Sequence, residues 1–239
     1  MLFSLMNDPF TLVHFSMRYL HVFFAVIWIG HLYYFNFVQG AFMAETEAGA
    51  KSQVLQKLLP RALWWFRYGA LGTFLTGVVM LTVRAHLDVG SQGGAALHSS
   101  YWISILTGAF IATLMFVNVW LIIWPKQQIV IRNATQTATG GAADPQAPIA
   151  AGKALLASRT NTLFSIPMLF FMLSASHLGY PVSETSNVNL YYLCLFIIIG
   201  ALQANGMVGK TGPITTIKGV VTGGFILTAV IAGLITILV

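Results

Sequence analysis

Six stretches of the chain are nearly unbroken runs of apolar residues, near 11–40, 62–83, 101–124, 159–178, 188–206 and 214–238, and the polar residues gather between them. Each run reaches the roughly 20 residues that a helix needs to cross the hydrocarbon of a bilayer. The pattern predicts an all-α fold, a polytopic transmembrane helix bundle of about six spans that forms a single domain over 1–239. The first run is longer than a straight crossing requires, so its start near His14 and Arg18 is expected above the membrane surface. The opening Met1 to Phe10 carries Asp8 and no basic cluster, so a cleaved leader is not expected.

The polar intervals carry an orientation. Lys51, Lys57 and Arg61 fall in the first, Lys126, Arg132, Lys153 and Arg159 in the third, and Lys210 in the fifth, whereas the second and fourth hold only Arg84 between them. The positive-inside rule then places the odd intervals in the cytoplasm and both termini on the outer, periplasmic side. Within 41–60, Val54, Leu55, Leu58 and Leu59 recur at helical spacing and predict a short surface helix. Residues 133–148 (NATQTATGGAADPQAP) bury little and predict a mobile cytoplasmic linker between two three-helix halves.

Composition sharpens this picture. Of 239 residues 57% are hydrophobic and 8% charged, with a mean hydropathy of +0.78. A soluble domain carries roughly a quarter charged residues, so this surface belongs in lipid. One cysteine excludes a disulfide framework, a cysteine-built metal centre and the Cys-x-x-Cys-His attachment of a c-type haem. The net charge of +6 comes with no basic run that could follow a phosphate backbone, so nucleic acid is not an expected partner. Only six carboxylates exist and none lies mid-span, which argues against a proton-relay transporter built on Asp or Glu. No phosphate-cradling loop, Ser-His-Asp spacing or His-Glu-x-x-His helix is present.

Histidine is then the main chemical inventory. His14 and His21 sit in the outer half of the first span, His86 just past the outer end of the second, His98 just before the third, and His177 at the outer end of the fourth. His14 and His21 are about two turns apart on nearly one azimuth, and His31 lies about 15 Å deeper, expected to face the bundle interior. Neutral imidazoles from different helices can clamp a flat porphyrin, and Arg18 and Arg84, at the outer level, suit its propionates. A b-type haem, one or two, fits this set, with His21, His31, His86 and His177 as iron ligands and His14 close by; an outer copper site is the weaker alternative. The bland readings stand beside these: an interhelical hydrogen bond for His21, His31 and His177, water or headgroups for His98, and membrane anchoring for Arg18 and Arg67.

Three stretches carry a family resemblance: the run from Arg18 to Gln39 (RYLHVFFAVIWIGHLYYFNFVQ), Pro60 to Ala70 (PRALWWFRYGA), and Asn118 to Gln128 (NVWLIIWPKQQ). Together they resemble the membrane domain of the bacterial membrane-bound urate oxidase (urate hydroxylase) family, over the first 130 residues and more loosely beyond. The Leu20-His21 helix is similar, more weakly, to the haem-containing bacterial protoporphyrinogen oxidases. The resemblance implies a multi-pass redox module of the bacterial inner membrane, with His21 and His31 as haem ligands and electrons passed outward to a cytochrome c. Full-length relatives carry that cytochrome at their C-terminus, whereas this sequence ends at Val239 without Cys-x-x-Cys-His, so a separate cytochrome c is the expected partner.

Two functions from different classes follow. In the first, the chain binds haem b and passes electrons from a small reductant such as urate toward a cytochrome c or respiratory partner, as an oxidoreductase of the urate hydroxylase type. In the second, it is a non-catalytic accessory subunit of a larger respiratory or oxygenase complex, with a structural haem or no cofactor.

Overall fold

The computed structural model describes residues 9–183 and 185–239, without the side chain of Gln92. Asp8 and the rest of the opening stretch, read above as uncleaved, lie outside the described residues. Among the described residues the fold is all-helical, with six long helices: α1 Pro9–Glu45, α2 Ala48–Ser91, α3 Ser100–Ala138, α4 Ala147–His177, α5 Val188–Val208 and α6 Ile217–Leu238. Short 3₁₀ turns at Gly93–His98 and Gly212–Thr215 join α2 to α3 and α5 to α6. The helices run alternately up and down. The end at which α1 begins is called upper below.

Five helices, α1, α2, α3, α5 and α6, are long and apolar enough to cross a membrane, which makes the chain a multi-pass membrane protein. The fourth, α4, falls short because Thr160, Asn161, Thr162, Ser165 and Ser174 dilute its apolar run. All five of these side chains are buried. They can be polar because α4 packs against α1, α3, α5 and α6, so its polar groups meet protein rather than lipid. Tyr33 donates to Ser165 Oγ at 2.9 Å, since the Ser165 proton goes to the Thr162 carbonyl.

The α1–α2 hairpin is the tightest pairing outside α4. Its contact is made by small residues on α2: a Cβ at Gly69 would press on Ile27 and the Trp28 backbone, and one at Gly72 would collide with the Phe24 ring. In lipid, where apolar side chains gain nothing by hiding from water, such close backbone approach is what drives helices together. On α6, Gly223 and Gly224 face Leu163 and Ile166, so the small residues there serve packing within the chain.

Helix boundaries run past the apolar runs. Residues 48–58 form the first part of α2, which contains a π-helical turn, Val54–Leu58; further π-helical turns occupy Tyr34–Gln39 in α1 and Asn118–Ile123 in α3. The 133–148 stretch is helical to Ala138 and again from Ala147. Its turn is tied to α3 where Asp144 N–H donates to Asn133 Oδ1 at 2.7 Å and the Asp144 carboxylate lies 3.8 Å from Arg132.

Candidate functional site

The α1–α2 pairing brings four of the expected site residues to the upper end. The His86 ring of α2 stacks on Phe10 of α1 with centroids 6.0 Å apart, and His14 lies within electrostatic reach of Arg18 and Arg84. Arg84 is already partnered: its Nε donates to Asp88 Oδ2 at 2.8 Å, and its guanidinium covers the Tyr101 ring at 4.8 Å. Trp102 Nε1 donates to the same carboxylate oxygen at 2.9 Å, which pins the top of α2 to the top of α3.

His21 lies two turns below His14 and faces α2, where Gly77 leaves room for its ring. Its Nδ1 is 3.2 Å from Thr76 Oγ1. Thr76 has one proton, and that proton goes to the Gly72 carbonyl at 2.6 Å, shared with the Thr73 carbonyl at 3.0 Å. His21 Nδ1–H must therefore be the donor, which leaves the lone pair on Nε2. The same tautomer is imposed on His31, whose Nδ1–H donates to the Ile27 carbonyl at 2.7 Å, and on His177, whose Nδ1–H donates to Leu173 at 2.9 Å. A neutral imidazole held through Nδ1 with Nε2 open is the form in which histidine binds a metal ion.

The remaining placements are dispersed. His31 is half-buried on α1, and its hydrogen bond stays within its own helix. His177 is exposed at the end of α4, and His98 is exposed on the 3₁₀ turn. A cavity of about 420 Å³ opens near the upper end of α4, lined by Ser104, Phe171, Ser174, Tyr180 and Thr236, but His177 does not line it. Tyr180 lies on the α4–α5 connection; burial pushes its phenol up, while the hydrogen bond with Ser104 at 3.3 Å works the other way. Among the described residues no three His, Cys, Asp or Glu side chains converge to hold a metal ion.

Histidine turns out not to be the main polar group inside the bundle. Asn118 of α3, Asn161 of α4 and Gln203 of α5 form a buried amide network that residue-by-residue reading passed over. Asn118 Nδ2 donates to Asn161 Oδ1 at 2.8 Å and to Gln203 Oε1 at 2.9 Å, Gln203 Nε2 returns a bond to Asn118 Oδ1 at 2.6 Å, and Asn161 Nδ2 donates to the Met115 carbonyl at 2.9 Å. A lone amide inside an apolar run, as in Phe116-Val117-Asn118-Val119, is the signal that would have found it. Arg67, expected as an anchoring residue, packs its guanidinium over Trp124 at 3.9 Å, Tyr68 at 4.8 Å and Trp120 at 5.4 Å.

A search of curated proteins found no match, and a search of solved structures found none either. The weaker likeness to protoporphyrinogen oxidases gained no support. A family model described as urate oxidase N-terminal matches residues 94–234, which takes in α3 to α6, His98, His177 and the amide network. It leaves His14, His21, His31 and His86 outside, and of the three resembling stretches it contains only Asn118 to Gln128. With more than half its length so matched, the chain belongs to the urate oxidase N-terminal family.

Proposed function

We propose that this chain is a haem-b-binding redox protein of the bacterial inner membrane, passing electrons from a small reductant, urate by the family's name, toward a cytochrome c or another subunit of a respiratory complex. The observation that carries this reading is the fixed tautomer of His21. His21 Nδ1–H donates to Thr76 Oγ1, so Nε2 keeps its lone pair beside an α1–α2 contact made of Gly72, Gly77 and Phe24. The donor chemistry suits a haem iron: His21 would hold it through Nε2, with His86 and His177 as the other imidazoles toward the upper end, and His31, about 15 Å deeper, would serve a separate site. Such a haem would supply one-electron redox chemistry, and the imidazoles holding it and the buried surroundings would tune its potential. His14, Arg18, Arg84 and His86 add cationic or polar groups at the upper end, suited to carboxylates there.

In this reading α4 is also a span, which makes six, because its polar residues face neighbouring helices and a helix of 31 residues is long enough to cross. The upper end is periplasmic in this reading, because Lys51, Lys57 and Arg61 at the start of α2, Lys126 and Arg132 in the last part of α3, and Lys210 between α5 and α6 all lie toward the lower end. His14 and His86 then lie where an external cytochrome c could approach.

The test is a reduced-minus-oxidised visible spectrum of the purified protein with His21→Ala and His98→Ala variants. A b-type spectrum lost in His21→Ala and kept in His98→Ala supports the assignment. An unchanged His21→Ala spectrum refutes the ligand, copper without iron on metal analysis moves the cofactor to an outer imidazole site, and protein free of both leaves the accessory-subunit function.

A further inference from the structure

Toward the lower end of the bundle, away from His14 and His21, one cation stands without a counter-charge. Arg67 lies five residues, roughly 8 Å, inside the apolar run of α2, and Trp124 closes the apolar run of α3. Three rings hold its guanidinium, whose carbon lies 3.9 Å from the ring centre of Trp124, 4.8 Å from that of Tyr68 and 5.4 Å from that of Trp120. Because it is nearest to Trp124, the charge sits at the rim of the hydrocarbon, the level of the headgroups. A residue that only anchors its helix extends its charge into water, whereas these rings keep the guanidinium against α2 and α3.

The rings attract the charge through their faces but offer no lone pair to its N–H groups. Arg67 Nε is buried without a partner, and so is Trp120 Nε1, on a ring that borders the same guanidinium. Among the described residues the only ion pairs join Arg84 to Asp88 and Arg132 to Asp144, so no carboxylate reaches Arg67. The two helices that hold it could not supply one, since Asp88, at the upper end, is the single acidic residue of α2 and α3.

A positive charge beside two donors that lack an acceptor selects its occupant. Water would complete the hydrogen bonds and leave the charge unneutralised at low dielectric. A phosphate oxygen does both, and the guanidinium fork matches its geometry. The surroundings decide where that phosphate comes from. Tyr68 is exposed, and Trp65 and Leu121, on the same stretch of α2 and α3, are 52% and 70% exposed, so the site opens sideways onto lipid. Arg61 and Lys126 add positive charge at this rim, and α2 and α3 offer no carboxylate here to the ammonium or choline of a zwitterionic headgroup.

We propose that Arg67 and Trp120 bind the phosphate of a net-negative phospholipid in the lower leaflet, between α2 and α3, with its acyl chains along Trp65 and Leu121. The site is independent of His21 and of any haem at the upper end.

Native mass spectrometry of the detergent-solubilised full chain tests it, after equilibration with equimolar phosphatidylglycerol and phosphatidylcholine of the same acyl chains. The natural sequence should retain one phosphatidylglycerol, preferred about tenfold, and keep it in excess inorganic phosphate. Arg67→Leu should erase the preference, with a thermal midpoint that holds or rises because an unneutralised charge is gone. Trp120→Phe keeps an aromatic ring and loses the indole donor, and should reduce the preference several-fold. Arg132→Gln, which removes an exposed cation of α3 that already faces Asp144, should leave it intact. Equal retention of the two lipids, a preference unchanged in Arg67→Leu or in Trp120→Phe, an equal loss in Arg132→Gln, or displacement by inorganic phosphate, which would make the ligand a soluble anion, each overturns the proposal.

Discussion

At the scale of single residues, polar groups inside this bundle do different work according to whether their hydrogen bonds are complete. His21 is held on one side only, through Thr76, and keeps a nitrogen in reserve. Replacing Thr76 by Val removes that restraint and lets the imidazole change tautomer or turn. The expected outcome is a haem that is retained but bound about 10–100-fold more weakly, with a shifted midpoint potential, read by redox titration. A Thr76 with a purely structural role would lower thermal stability and leave the potential where it was. Asn118 is the opposite case, with both amide atoms engaged. Asn118→Leu strands Asn161 and Gln203, and should destabilise the fold by about 2–4 kcal/mol in denaturant unfolding, a loss largely recovered when all three amides become apolar. The histidines could be found in the sequence because few side chains bind metals. The amides could not be paired there, because Asn118, Asn161 and Gln203 are far apart in the chain and meet only when three helices pack.

At the scale of elements, the existence of all six helices was legible and their ends were not. Hydropathy locates where a helix meets lipid, but helical hydrogen bonding continues into polar sequence, so α2 begins at Ala48 rather than near residue 62. The polarity of α4 has a similar origin: Thr160, Asn161 and Ser165 read as weakness in a span and are the marks of a central helix. Nor does spacing alone show which glycines matter. Gly72 stands against Phe24 whereas Gly90 meets nothing within 4 Å. Gly72→Val should therefore push α1 off α2 and lower the thermal midpoint by several degrees in detergent, with Gly90→Ala close to neutral. Similar midpoints for the two variants would show that the α1–α2 contact is not the close one seen here.

At the scale of the whole molecule, the membrane, the histidines and the family make one functional reading, and each part can fail separately. The orientation is tested by cysteine labelling in a Cys194→Ser background. A membrane-impermeant maleimide added to intact cells should modify Ser91→Cys at the upper end and spare Ser52→Cys at the lower end, and the reverse pattern would invert the topology. Family membership rests on α3 to α6, while the histidine with the best-defined chemistry lies on α1, so the likeness and the site come from different parts of the chain. What would join them is the proposed haem. The reduced-minus-oxidised spectrum of the purified protein, beside that of His21→Ala, tests it most directly: the account predicts a b-type haem in the first and its loss in the second, and a haem-free natural protein or an unaltered variant would contradict it.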